Sequence, residues 1–203
     1  GVQPIIGCQM ALVREGGNNV GRGQLINAEP DKLILLTQNE EGWRNLIGLV
    51  SKAHLSAEAG ATPTVTLAEI LERNQGLIAL TAGPDGPVGR ALLEGRADAA
   101  EETLLKLAKA FDNRLFVELS RLGQDAEART EAAFMDLAYK HGLPLVATNE
   151  AFFSDADMYE AHDALICIAE KSFVSLPDRR RLTPEHRFKS AEEMVDLFAD
   201  IPE

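Results

Sequence analysis

Carboxylates, an imidazole and a strand end are brought close together in the stretch 142–163, GLPLVATNEAFFSDADMYEAHD. A short apolar run, 143–147, is followed at once by Thr148, Asn149 and Glu150. The run is too short for a helix and has the composition of a buried strand. Polar groups at the carboxyl end of such a strand are where α/β sheets and barrels place their chemistry. Behind them come Asp155, Asp157, Glu160 and Asp163, with His162 among them. These are the ligand types of a metal site, which would need further walls from elsewhere in the chain. Asp157, Glu160 and Asp163 stand three apart, so on one helix they would share a face. The plainer reading is a solvated, acidic helix start. A lone histidine on a helix is more often a packing or hydrogen-bonding residue than a ligand, and His162, His141 and His186 are read that way.

The elements that must position this stretch alternate. Residues 4–13 read as a buried strand containing Gly7, and 14–23, rich in Gly and Asn, as a mobile loop or hairpin tip. A second strand, 32–37 (KLILLT), leads to Asn39, which caps a helix with Glu40 and Glu41 in its first turn. Trp43, Leu46, Ile47 and Val50 fall on one face of that helix, and His54 sits at its surface near the end. Thr66 and Glu69 form a capping box for a short helix carrying Leu67, Ile70 and Leu71. Residues 76–82 (GLIALTA) are the next strand, turned by Gly83-Pro84-Asp85-Gly86. A short helix over 88–93 precedes a longer one with Ala100, Leu104, Leu107, Ala108 and Phe111 on one face. Residues 114–120 (RLFVELS) form a further strand, and a helix over about 126–141 buries Phe134, Leu137 and Ala138 before Gly142 stops it. Strands alternating with helices predict a parallel sheet or a β/α barrel. A complete eight-unit barrel takes about 250 residues, and roughly five strands are too few to close one.

The last part differs. Residues 173–188 carry Arg179, Arg180, Arg181 and Arg187 in a loop-like run with Pro177 and Pro184. A solvated loop balancing nearby acids is the plain reading, and contact with a phosphate backbone or a neighbouring domain the sharper one. Ser190 and Glu193 make a second capping box, and the final helix presents Met194, Leu197 and Phe198.

Composition narrows the function classes. The chain has 203 residues, 45% of them hydrophobic, and a net charge of −12. That charge repels nucleic acid, so DNA would be met through a local basic patch or another domain. Cys8 and Cys167 lie far apart in apolar runs and read as buried reduced thiols, which suits the cytoplasm. No signal peptide, membrane span or lipidation motif is visible. The chain opens in an apolar strand without methionine and stops just after a helix, so it reads as a fragment.

Four runs together carry a resemblance: NEEGWRNL at 39–46, ATNE at 147–150, AHDAL at 161–165, and the tail from Arg187-Phe188-Lys189-Ser190 through Glu193-Met194 to LFADIPE at 197–203. In order and spacing they resemble the N-terminal polymerase-and-histidinol-phosphatase (PHP) domain of the bacterial DNA polymerase III α subunits, the C-family replicative polymerases. The resemblance implies an α/β fold, a distorted (β/α)7 TIM-like barrel that is incomplete here because its first strands precede Gly1. It implies a partial PHP barrel over 1–172, and over 173–203 a connector and helix leading into the polymerase palm. It also implies Mg²⁺ and catalytic aspartates for the parent polymerase, outside this chain. The partners implied are the proofreading exonuclease subunit, the palm of the same polypeptide and DNA through other domains.

Metal-binding members of that family hold a cluster through His, Asp, Glu and sometimes Cys. Compared with them, this chain has Gln9 where an acid is expected, Lys32 and Leu122 where histidines are expected, and Glu150 and Phe152 in place of an Asp-x-His pair. Of these five only Glu150 keeps ligand chemistry, so no metal is expected. The reading that results is a metal-less scaffold and exonuclease-docking surface within a DNA-directed DNA polymerase. Its rivals are an active metal-dependent phosphoesterase, either exonuclease or pyrophosphatase, and a free-standing metabolic PHP phosphatase.

Overall fold

The computed structural model describes residues 1–14 and 29–202. The expected loop over 14–23 lies, apart from Arg14, outside the described residues. Five strands form one sheet in the order β1 (Gly7–Leu12), β2 (Asp31–Thr37), β3 (Leu77–Leu80), β4 (Leu115–Ser120) and β5 (Leu145–Thr148). The last three are parallel, as alternation predicted, but β2 runs antiparallel to both neighbours. Alternation of element types carries no information about strand direction, which depends on the path of each connection. The sheet is mixed, and β1 and β5 are its two edges.

Period-two alternation decides which side chains meet. On β4, Leu115, Val117 and Leu119 face the helices and are buried. They join Leu33 and Leu35 of β2 and Leu77 and Ala79 of β3 in the main core. The helices over that face are α1 (Glu40–Ser56), α2 (Leu67–Glu72), α3 (Pro87–Leu93), α4 (Ala97–Phe111) and α5 (Asp125–His141). Helix α4 buries Ala100, Leu104, Leu107 and Phe111 at 3.6-residue spacing, as its pattern predicts. Helix α5 ends on Gly142 at φ 62°, a left-handed cap that glycine adopts without Cβ strain.

Helix α1 corrects the sequence reading. Asn39 caps it by accepting the Gly42 amide at 3.0 Å. The buried face is Gly42, Leu46, Leu49 and Ala53, while Trp43 and Ile47 are each 43% exposed. The face is rotated because Gly42 must lie against Gly76, where a Cβ would overlap the Gly76 carbonyl. Strand β5 is also less buried than expected, because it is an edge strand.

Beyond β5 follow α6 (Tyr159–Ala169) and α7 (Ala191–Leu197). Ser190 and Glu193 form the expected capping box, and Phe198 is buried. Among the described residues no helix is long and apolar enough to cross a membrane.

Candidate functional site

The face of the sheet away from the helices is lined by the alternate residues: Gln9 on β1, Lys32 and Ile34 on β2, Leu80 on β3, Glu118 and Ser120 on β4, and Thr148 on β5. Gln9 pairs with Ile34 and Ile34 with Leu80, while Ser120 pairs with Thr148. Because β2 is antiparallel, Lys32 near its start lies beside the carboxyl ends of β3 and β4. The result is a cavity of about 280 Å³ at the strand ends, closed by Asp85, Leu122, Glu127, Asn149 and Glu150.

Four of the five positions singled out in the sequence therefore line one cavity: Gln9, Lys32, Leu122 and Glu150. Phe152 stands outside that lining. Its ring packs between His162 and His186, with centroids 5.6 and 5.9 Å away. His186 is fully buried, with Nε2 3.1 Å from the Gln124 amide nitrogen, and burial pushes its pKa down. His141 pairs with Glu101 at 2.6 Å. His141 and His186 thus have hydrogen-bond partners, while His162 packs on Phe152 and Phe153 with its Nδ1 buried and unpartnered.

Charge in the cavity is unevenly committed. Lys32 donates from Nζ to Asp85 Oδ2 at 2.8 Å. Glu127 accepts from the Ser120 hydroxyl at 2.9 Å, the Leu122 amide at 2.8 Å and the Gln124 amide at 3.0 Å. Glu118 accepts the Thr148 hydroxyl on Oε1 at 2.6 Å, but its Oε2 is buried without a partner. Desolvation raises the Glu118 pKa; the Thr148 hydrogen bond and the nearby Ala82 backbone oppose that rise, and the nearby Glu150 charge reinforces it. The sequence reading did not single out Glu118. Its signal was an acid enclosed by Val117 and Leu119 in an apolar strand.

The ligand set implied for a metal-binding relative is tested by these side chains. A multinuclear centre needs several anionic or imidazole donors to offset the cost of desolvating the ions. Here a lysine ammonium and a leucine occupy two positions, Glu127 has spent its oxygens on hydrogen bonds, and Asp85 is paired. No group of three or more His, Cys, Asp or Glu among the described residues is placed to hold a metal ion. The side chains present do not fit such a centre.

The acidic segment does not supply the missing wall. Residues 156–158 form a 3₁₀ turn and α6 begins only at Tyr159, so Asp157 lies off the α-helix that carries Glu160 and Asp163. Asp157 and Glu160 are exposed. Asp163 is buried and takes both guanidinium nitrogens of Arg179, at 2.6 and 2.5 Å. The arginine run thus balances acids, as the plain reading held, but Arg179 is far from solvated, its side chain 4% exposed. Arg187 pairs with Glu193, and that bond holds the Glu193 carboxyl down at about 2. Cys167 is buried and Cys8 only half-buried, and both are free thiols. Cys8 is less buried than read because β1 is an edge.

The residues after α6 are stitched to the cavity rim. The Phe152 amide donates to the His186 carbonyl and the Phe188 amide to the Phe153 carbonyl, both at 2.8 Å. Asn149 donates to the Arg187 carbonyl at 2.8 Å and accepts from buried Lys189 at 3.0 Å. The Thr183 hydroxyl donates to the Leu122 carbonyl. At the end of β4, Arg121 forks onto Glu131 and Asp200, donates to the Leu197 carbonyl and lies over the Phe198 ring at 4.8 Å.

Residues 1–122 match the family model described as "PHP domain". The whole chain is 44% identical to "DNA polymerase III subunit alpha" of Caulobacter vibrioides, of which it spans 17%. It is 36% identical to the protein of that name from Escherichia coli K12 and 33% to that of Rickettsia bellii, again over all of this chain, but over 17% and 16% of theirs. The chain covers about a sixth of the length of these curated relatives. With a strand-end cavity lined at four of the expected positions and a family match over more than half its length, the chain belongs to the PHP domain family.

Proposed function

We propose that this chain is the PHP portion of a bacterial replicative DNA polymerase III α subunit. In this reading it has lost the metal-dependent phosphoesterase chemistry of its family and serves as a scaffold and docking surface for the proofreading exonuclease subunit. The observation that carries the proposal is the Lys32–Asp85 ion pair inside the cavity, 2.8 Å long. An ammonium held there repels a dication and occupies one of the few carboxylates. The names of the curated relatives support the polymerase assignment. The stitching of 183–189 to the rim, and of α7 to Arg121, supports the scaffold role. It fixes the geometry between the sheet and the chain's last helix.

The parent protein would carry out template-directed nucleotidyl transfer, with Mg²⁺ held by palm aspartates elsewhere in the polypeptide. Template contact would also lie elsewhere, since the net charge of −12 here opposes it. An acidic surface suits a protein partner better than DNA. The test is sedimentation of the full-length polypeptide with the exonuclease subunit, alongside a phosphodiester-hydrolysis assay with Mn²⁺, Mg²⁺ and Zn²⁺. A complex that is lost when residues 1–203 are deleted, with no turnover by the polypeptide alone, is expected. Metal-dependent turnover abolished by Glu150→Ala would overturn the proposal in favour of the phosphoesterase reading.

A further inference from the structure

Helix α6 turns an apolar side outward. Its inward positions Asp163, Ile166 and Cys167 are buried. The opposite side carries Ala161, Leu165 and Ile168 at the spacing of one helical face, with Leu165 61% and Ile168 73% exposed. A surface helix normally puts charge on that side, yet from Ala164 to Ala169 this one has none. The chain then folds back beside the helix. Arg179 donates to both oxygens of Asp163 and to the Val174 carbonyl, which pins Phe173, Val174 and Leu176 next to α6. Those three side chains are exposed as well, Phe173 to 71%. Apolar residues scattered singly over a surface need no explanation, but a group gathered in one place marks where another surface sits.

The end of α6 holds a second, independent feature. The Ser172 amide bonds the Cys167 carbonyl and the Lys171 amide the Ile168 carbonyl, the two bonds of a Schellman turn. The residue at its left-handed position is Lys171, at φ 53°, where glycine is the unstrained choice. Gly142 fills the same position at the end of α5. The fold gains nothing from a strained, exposed lysine there, so its charge points to a partner. Charge along the face then selects that partner. Asp155, Asp157 and Glu160 are exposed at the start of α6; Lys171 and Arg181 lie past its end, with Asp178 and the Arg180–Glu170 pair. An amphipathic helix laid antiparallel answers both ends, since helices favour acids in their first turn and bases in their last. A second copy of α6 fits less well. Across a two-fold axis, Phe173 and Val174 of one copy would cover Asp155 and Asp157 of the other and bury those charges unpaired.

We propose that α6 and residues 171–176 are the surface on which the exonuclease subunit docks, through an amphipathic helix of that subunit lying antiparallel to α6. The apolar side of that helix covers Leu165, Ile168 and Phe173, and its acidic first turn meets Lys171. The inference rests on the docking role proposed above and names the surface that performs it.

The experiment is calorimetric titration of the exonuclease subunit into the full-length polypeptide and its variants, with hydrogen exchange of the α6 amides measured on each. Ile168→Glu should weaken binding roughly tenfold or more, without faster exchange in α6, because Ile168 is exposed. Lys171→Gly should weaken binding about threefold and yet slow exchange at the last α6 amides, a pair of changes that loss of folding would not give. Val195→Glu, at a 70% exposed position on α7, should leave binding as it is. Undiminished binding to Ile168→Glu overturns this surface while exonuclease docking stands; no complex with the unaltered polypeptide overturns both. Self-association of the polypeptide that Ile168→Glu abolishes would assign the face to a second copy. Faster exchange throughout α6 in that variant would assign it to another part of the same polypeptide. Either result overturns the proposal.

Discussion

Glu118 lies on a strand whose other face is core, so folding removes its carboxyl from water with one oxygen unpaired. Its pKa is raised, which means that the folded chain holds this proton more tightly than the unfolded chain. Stability therefore falls as pH rises from the unfolded value, about 4.3, through the raised folded value. Glutamine has no such proton. Glu118→Gln should match the parent at pH 4 and exceed it in urea midpoint at pH 7.5, and a lower midpoint at pH 7.5 would count against burial as the cause. Asp163 shows the opposite case. Arg179 holds its carboxyl below the usual range through a two-pronged bond. Asp163→Ala would strand the Arg179 guanidinium, whose side chain is only 4% exposed. Breaking the pair in this way should lower the urea midpoint at pH 7. An unchanged midpoint would place the pair in water. From sequence alone the acids near Asp163 were visible as an acidic run. Which of them found an arginine depended on a loop returning from 16 residues away.

Element by element, the local signals were the most legible. Asn39, Thr66 and Ser190 cap the helices that follow them, and Gly142 ends the helix before it. These features are set within a few residues and need no tertiary information. The face of α1 was not legible, because its orientation depends on the long-range meeting of Gly42 with Gly76. Gly76 adopts φ 69°, and its carbonyl leaves no room for a Cβ at Gly42. Gly42→Ala should cost about 2–3 kcal/mol through overpacking. The exposed Gly60 is the control for a general glycine effect at a site with open space, though its φ of 84° adds strain to any substitution there. Thermal unfolding of both variants checks this, and a harmless Gly42→Ala would mean that α1 is seated differently. Strand direction was the other illegible feature. The antiparallel course of β2 delivers Lys32 to the cavity, and no periodicity in 31–37 encodes it.

At the scale of the whole molecule, the five strands and seven helices among the described residues place a cavity-bearing sheet face opposite a helix-covered core. The cavity gathers residues from all five strands or the loops after them. The resemblance read in the sequence anticipated which positions would converge, with Phe152 the exception, but not the charge balance they would find. That balance rests on Asp85, Glu118 and Glu127, which a comparison of ligand positions does not consult. The central claim is that an internal ammonium and apolar side chains have replaced the metal chemistry of the family. The most direct measurement is the metal content of the full-length polypeptide, purified without chelator. Plasma mass spectrometry for zinc, manganese and iron should then return values near zero. Stoichiometric zinc, manganese or iron, lost on Glu150→Ala, would contradict the account and return the cavity to metal-dependent phosphoester chemistry.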